Sequence, residues 1–170
     1  MKQLGINNFS GKRVWIIGAS SGIGEACANA LLKLGAQVAL SSRRKERLEQ
    51  IAHTAKPEQT LILPLDVTIQ QQITSAHQNI MSTWGGLDLL LFVSGMYVPL
   101  RADNFDIKTA EQTIDANLLG PMRAVAAVLP EMLKEHAGHI AIVGSVAGYS
   151  GLPKALAYGP SKAGIINFCE

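Results

Sequence analysis

Short apolar runs alternating with longer helical patterns constrain the fold of this chain more than any other feature. Val14-Trp15-Ile16-Ile17 reads as a buried strand, and Gln37-Val38-Ala39-Leu40, Leu61-Ile62-Leu63-Pro64-Leu65, Leu87 to Val93 and Ile140-Ala141-Ile142-Val143 as four further strands. Between them lie a Gly-rich turn with a helix to about Leu34, then helices over about Arg44–Ala55, Ile69–Ser82 and Phe105–His136; another begins near Ala157. Such alternation specifies an α/β fold: a doubly wound parallel sheet with helices on both faces. Pro64 inside the third run predicts an edge position, where a missing N–H is tolerated. Ligands of these sheets bind at the carboxyl ends of the strands. At 170 residues and 48% hydrophobic, residues 1–170 are expected to form a single domain with a real core.

Composition excludes several classes. Charged residues make up 16%, the net charge is +2, and no basic run extends beyond Arg43-Arg44-Lys45, so no nucleic-acid partner is expected. Apolar runs are too short for a bilayer span, which leaves no membrane role. Cys27 and Cys169 form neither a metal-ligand nor a CxxC pattern. Met1-Lys2-Gln3-Leu4-Gly5 carries no signal-peptide pattern, which points to a reducing, cytoplasmic setting.

Gly18-Ala19-Ser20-Ser21-Gly22-Ile23-Gly24 follows the first strand and opens the first helix. Glycines permit a tight turn and close approach of backbone to ligand. The helix N-terminus offers free N–H groups to a pyrophosphate, so the loop predicts dinucleotide binding. The second strand ends at Ser41-Ser42-Arg43-Arg44, and Ser42 stands where an NAD site places a carboxylate for the ribose 2′-hydroxyl. Cations there oppose the dipole of the helix that follows. A 2′-phosphate would account for them, with Arg43 as primary clamp and Ser42 or Arg44 assisting; NADP(H) is favoured over NAD(H). Asp66-Val67 follows the third strand and is placed to hold the adenine. Thr68-Ile69-Gln70-Gln71 fits a capping box with Thr68 as the cap, which leaves the Asp66 carboxylate free.

Tyr158 and Lys162 stand four residues apart, on one face of a helix. An ammonium beside a phenol favours the phenolate and suits the pair to proton exchange with an alcohol or carbonyl oxygen. Pro160 between them is tolerated in a first helical turn, where its N–H would have no partner. Ser145, in Gly144-Ser145-Val146-Ala147-Gly148, lies just past the fifth strand and thirteen residues before Tyr158. Asn117 precedes Pro121 by four, so its backbone carbonyl loses the usual helical partner. With Gly120 adjoining, a local kink and an orphan carbonyl able to hold water are expected.

Taken together, Gly18-x-x-x-Gly22-x-Gly24, Asp66, Asn117, Ser145 and Tyr158-x-x-x-Lys162 resemble the short-chain dehydrogenase/reductase family, in order and across essentially the whole chain. The resemblance implies a Rossmann-like fold and hydride transfer between a nicotinamide cofactor and a small carbonyl or alcohol substrate. It also implies a homodimer or homotetramer joined through the long fifth helix and the one after it. By resemblance, Tyr158 is the general acid/base and Ser145 polarises the substrate carbonyl. Lys162 tunes the tyrosine and holds the nicotinamide ribose, Asn117 anchors a water, and Gly95 keeps the backbone close to the cofactor. Met96 to Leu100 and Gly151-Leu152-Pro153 fall at the substrate end, which favours an apolar or amphipathic substrate.

Three departures stand out. Ile17 replaces the usual threonine before the first glycine, and Phe92-Val93-Ser94-Gly95 replaces Asn-Asn-Ala-Gly. Ile17 is expected to pack near Phe92 or Val93 as a compensated apolar exchange. Family members also continue for roughly one more third, with two further strands and a substrate-covering segment. Nothing near Cys169-Glu170 reads as a helix stop, so the expectation is the N-terminal piece of a longer enzyme. The alternative is a truncated or catalytically inactive dinucleotide-binding module, or a sensor.

Overall fold

The computed structural model describes residues 9–170; Met1–Gly5 lies outside the described residues. Strands β1 (Arg13–Ile17), β2 (Gln37–Ser41), β3 (Thr60–Ile62), β4 (Leu89–Phe92) and β5 (His139–Ile142) form one sheet in the order β3-β2-β1-β4-β5. Every pairing is parallel. Helices α1 (Gly22–Lys33), α2 (Lys45–Ala52), α3 (Gln70–Trp84), α4 (Ile107–Ile114), α5 (Gly120–Lys134) and α6 (Tyr158–Cys169) complete the alternation. It is the doubly wound Rossmann-like architecture that the strand–helix pattern predicts.

Side-chain alternation along β1 explains both layers. Val14 and Ile16 face one side and join Val38 and Leu40 of β2, Leu31 and Leu32 of α1, and Leu48 and Ile51 of α2. Trp15 and Ile17 face the other and pack with Leu90 and Phe92 of β4, Ile73 and Ile80 of α3, and Val128 of α5. A strand covered on both faces has no polar side to spare, which is why β1 reads as an unbroken apolar run. Its start is fixed by Arg13, whose Nε meets Asp88 Oδ2 at 2.8 Å just before β4.

Two boundaries differ from expectation. β3 is the edge strand but ends at Ile62, before Pro64. Leu63 N and Leu65 N still donate to Leu40 O and Ser42 O of the neighbouring strand. The proline nitrogen between them therefore faces the open edge, where no donor is required. The stretch expected to be one helix over Phe105–His136 is α4 and α5 joined by a π-turn, Asp115–Leu119. Gly120 N–H donates to Asp115 O, five residues back, and Pro121 cannot donate at all. The regular ladder is thus broken at the place where the sequence leads one to expect a kink.

Candidate active site

The carboxyl ends of β1, β2 and β4 open onto a cleft of ≈ 700 Å³. Its lining includes Gly18, Ser20, Ser21 and Ile23 from the glycine-rich turn, Ser42, Arg43 and Arg44 after β2, Asp66 and Val67 after β3, and Gly95 after β4. Gly22 and Gly24 form the first turn of α1. Gly18 has φ +104°, and a Cβ there would lie 2.5 Å from Ser94 N; at Gly24 a Cβ would run into Gly18 O. Glycine is required at both positions for the turn to close. Ser21, at the N-cap of α1, makes no side-chain cap bond, so the first-turn N–H groups stay available to an anion.

The cations have separated. Arg44 is engaged across the cleft: its Nη2 donates to Ser21 Oγ at 2.8 Å and Ser20 Oγ at 3.0 Å. Arg47, not singled out in the sequence, pairs with Glu25 of α1 at 3.1 Å. Arg43 is exposed, lines the cleft, and makes no hydrogen bond or ion pair among the described residues. Helix α2 begins at Lys45, so Arg43 and Arg44 precede its first turn.

The Asp66 expectation needs correction. Thr68 does not cap α3; Ile69 stands at the N-cap, without a side-chain cap bond. Thr68 instead gives both its N–H, at 2.9 Å, and its hydroxyl, at 2.8 Å, to Asp66 Oδ1. An Asp followed two residues on by Thr closes an Asx-turn, and this local bond wins over the capping box. Asp66 is therefore half committed, with Oδ2 remaining. Burial raises its pKa, but the Thr68 bonds and the nearby Arg43 charge outweigh that and hold the carboxyl below its ordinary range.

Where the cleft ends at Gly95, three of the four sequence-predicted catalytic residues, Asn117, Tyr158 and Lys162, are linked, and Ser145 lies on a turn packed against α6. Asn117 sits in the π-turn and is 1% exposed. Its Oδ1 accepts from Met96 N at 2.8 Å, and its Nδ2 donates to Met96 O at 2.8 Å and Ser161 Oγ at 3.2 Å. Ser161 in turn donates to Tyr158 O at 2.7 Å. Lys162 is 5% exposed, its Nζ donates to Val143 O at 2.8 Å, and it lies 5.8 Å from the Tyr158 ring centroid. Burial lowers the Lys162 pKa. Gly95 joins cleft and tetrad: a Cβ there would lie 3.4 Å from Asn117 Oδ1 and 3.9 Å from Lys162 Nζ. Ser145 caps the short turn Val146–Gly148, accepting from Ala147 N at 3.2 Å. That turn is pressed on α6, since a Cβ on Gly148 would stand 2.8 Å from the Lys162 backbone.

A family model for short chain dehydrogenase matches residues 12–170. The chain belongs to that family. An uncharacterized oxidoreductase of Staphylococcus aureus (strain MW2) is 31% identical over 150 residues, covering 88% of this chain and 65% of the relative. The crystal structure of serine dehydrogenase from Escherichia coli superposes with TM-score 0.85 at 29% identity, covering 91% of this chain and 72% of that one. A short-chain dehydrogenase from Streptomyces avermitilis superposes with TM-score 0.87 at 26% identity, covering 92% and 58%. This dehydrogenase-family chain spans 65% of the length of the Staphylococcus relative it matches.

Ser161, Gly148 and the engagement of Arg44 were not foreseen. Ser161 lies inside the Tyr158–Lys162 spacing, and Gly148 inside the Ser145 turn, so both carried a positional signal. Arg44 carried none, because its partners lie 23 and 24 residues away.

Proposed function

We propose that this chain is the dinucleotide-binding and catalytic part of an oxidoreductase that uses NADP(H) on a small carbonyl or alcohol substrate. The observation that carries the reading is the junction at Gly95, where the cleft meets Asn117 and Lys162. The residues fit a dinucleotide: the uncapped first turn of α1 would take the pyrophosphate, Asp66 Oδ2 the adenine amine, and Arg43 a 2′-phosphate. Bound there, the nicotinamide would donate or accept a hydride.

The chain's own residues divide the remaining work. Ser145 accepts from Ala147 but has no acceptor for its own proton among the described residues, so its hydroxyl is free to polarise a carbonyl oxygen. Tyr158 exchanges the proton with that oxygen. Lys162 spends one donor on Val143 O and keeps two for ribose hydroxyls. Both N–H donors of the Asn117 amide are used in holding Met96 and Ser161, and its main-chain carbonyl, which Pro121 cannot satisfy, would hold a water. Exposed Leu119, Leu129 and Leu133 around α5, with Phe168 on α6, support assembly into a homodimer or homotetramer. Among the described residues no helix is long and apolar enough to cross a membrane, and the free Cys27 and Cys169 fit a reducing cytoplasm.

Tyr158→Phe tests the reading. An enzyme of this kind should lose turnover by about 100-fold or more and keep its affinity for NADPH. A binding module or sensor would show no turnover to lose and an unchanged response to cofactor.

A further inference from the structure

We infer that Tyr97 is a positioning and specificity residue of this site: its ring braces Tyr158 and favours substrates with a flat group beside the reacting carbon. The inference rests on the oxidoreductase reading above. Tyr97 and Tyr158 meet edge-on, with ring centroids 5.3 Å apart and planes at 76°. That is the preferred arrangement of aromatic pairs, in which the positive edge of one ring meets the negative face of the other. Tyr158 thus has a neighbour besides the Lys162 ammonium, and rotation of its ring away from the pocket would break the contact.

A half-exposed aromatic on a loose loop would brace nothing, but this one is held on both sides. Immediately before it, both backbone groups of Met96 are bonded by the Asn117 amide. Beyond it, Leu100 is 3% exposed and forms a parallel bridge with Ala155, its N–H donating to Lys154 O at 3.0 Å. Gly95–Leu100 is therefore tied at one end to the π-turn and at the other to the segment that leads into Tyr158. Between the ties Tyr97 remains 52% exposed. A large aromatic held in place yet open to solvent beside the proton-exchanging group offers a ready surface for a planar substituent. Stacking on such a surface changes affinity by roughly 3- to 10-fold.

The test compares wild type, Tyr97→Phe, Tyr97→Leu and Tyr97→Ala on aldehydes matched in size, benzaldehyde against cyclohexanecarbaldehyde, with NADPH. Melting curves and NADPH binding are recorded for each protein. Tyr97→Ala and Tyr97→Leu should raise KM for benzaldehyde roughly 3- to 10-fold more than for its saturated partner. They should also lower kcat for both aldehydes, and Tyr97→Phe should restore both parameters. Tyr97→Leu keeps bulk in the segment and decides the matter if the alanine variant melts early. Equal KM changes for the two aldehydes with unaltered kcat would overturn the inference, as would loss of NADPH binding in a folded variant. Wild type that binds NADPH but reduces neither aldehyde would overturn the catalytic reading of the site, and the role of Tyr97 with it.

Discussion

At position 43 a guanidinium lines the cleft near the Asp66 carboxylate but makes no hydrogen bond or ion pair among the described residues, while Arg44 is held by two serines and Arg47 by a glutamate. Of these three arginines, Arg43 is the one that could take a 2′-phosphate without giving up a hydrogen bond. Arg43→Ala should weaken NADPH binding by roughly 10- to 100-fold and leave NADH binding nearly unchanged, read by fluorescence titration. Equal losses for both cofactors would remove the 2′-phosphate assignment. Ile17 poses a different problem. It is fully buried, pairs in register with fully buried Phe92, and its carbonyl accepts from Val93 N and Ser94 N. The apolar exchange expected from the sequence is thus compensated by packing. Ile17→Thr would bury a hydroxyl among these groups and should destabilise the fold by about 1–3 kcal/mol in denaturant melts; a stabilised variant would contradict this account.

Among the elements, the π-turn does the most to place the site. Asp115 within it pairs with Arg123 at 2.7 Å, and Asn117 within it holds Met96 and Ser161. Pro121→Ala supplies the missing N–H and would let this turn relax towards an ordinary helix. Turnover should then fall on the order of 10- to 100-fold through displacement of Asn117, with NADPH affinity kept; unchanged turnover would show the geometry to be dispensable. Much at this scale was legible beforehand. Proline four residues after asparagine announces a broken ladder, and apolar run length announces a strand buried on both faces. The Asp66 engagement was not legible, because Asp-Val-Thr fits an Asx-turn while Thr68-Ile69-Gln70-Gln71 fits a capping box, and backbone geometry chooses between them. Nor were the Asn117–Ser161 and Tyr97–Tyr158 contacts, which join residues 44 and 61 apart in sequence and leave no local trace.

For the whole molecule, stability against acid divides into two ranges. His77 on α3 stacks on Trp15 at 6.3 Å, and its Nε2 is buried without a hydrogen-bond partner among the described residues. Burial lowers its pKa from 6.5, against a smaller opposing pull from Glu131 on α5. The unfolded chain takes a proton near 6.5 that the folded chain resists, so stability present above that pH is lost as pH falls towards the folded value. Melting temperature should drop between pH 7.5 and 5.5, and His77→Phe should flatten that drop; an identical drop in the variant would assign it elsewhere. Asp88 acts lower down. Burial raises its pKa, but hydrogen bonds from Arg13 outweigh this, so the stability it contributes disappears only below the ordinary carboxylate range. The π-turn also has a consequence for the molecule as an assembly of helices. Each added residue advances a helix by about 100°, so one extra residue makes Asp115–Leu119 a screw offset between its two arms. The offset lets α4 pack on α6 while α5 packs on α3. Deleting one residue from this turn would mis-index one arm against its neighbour rather than merely shorten a helix, whereas a deletion in the exposed 135–138 connection leaves both arms in phase.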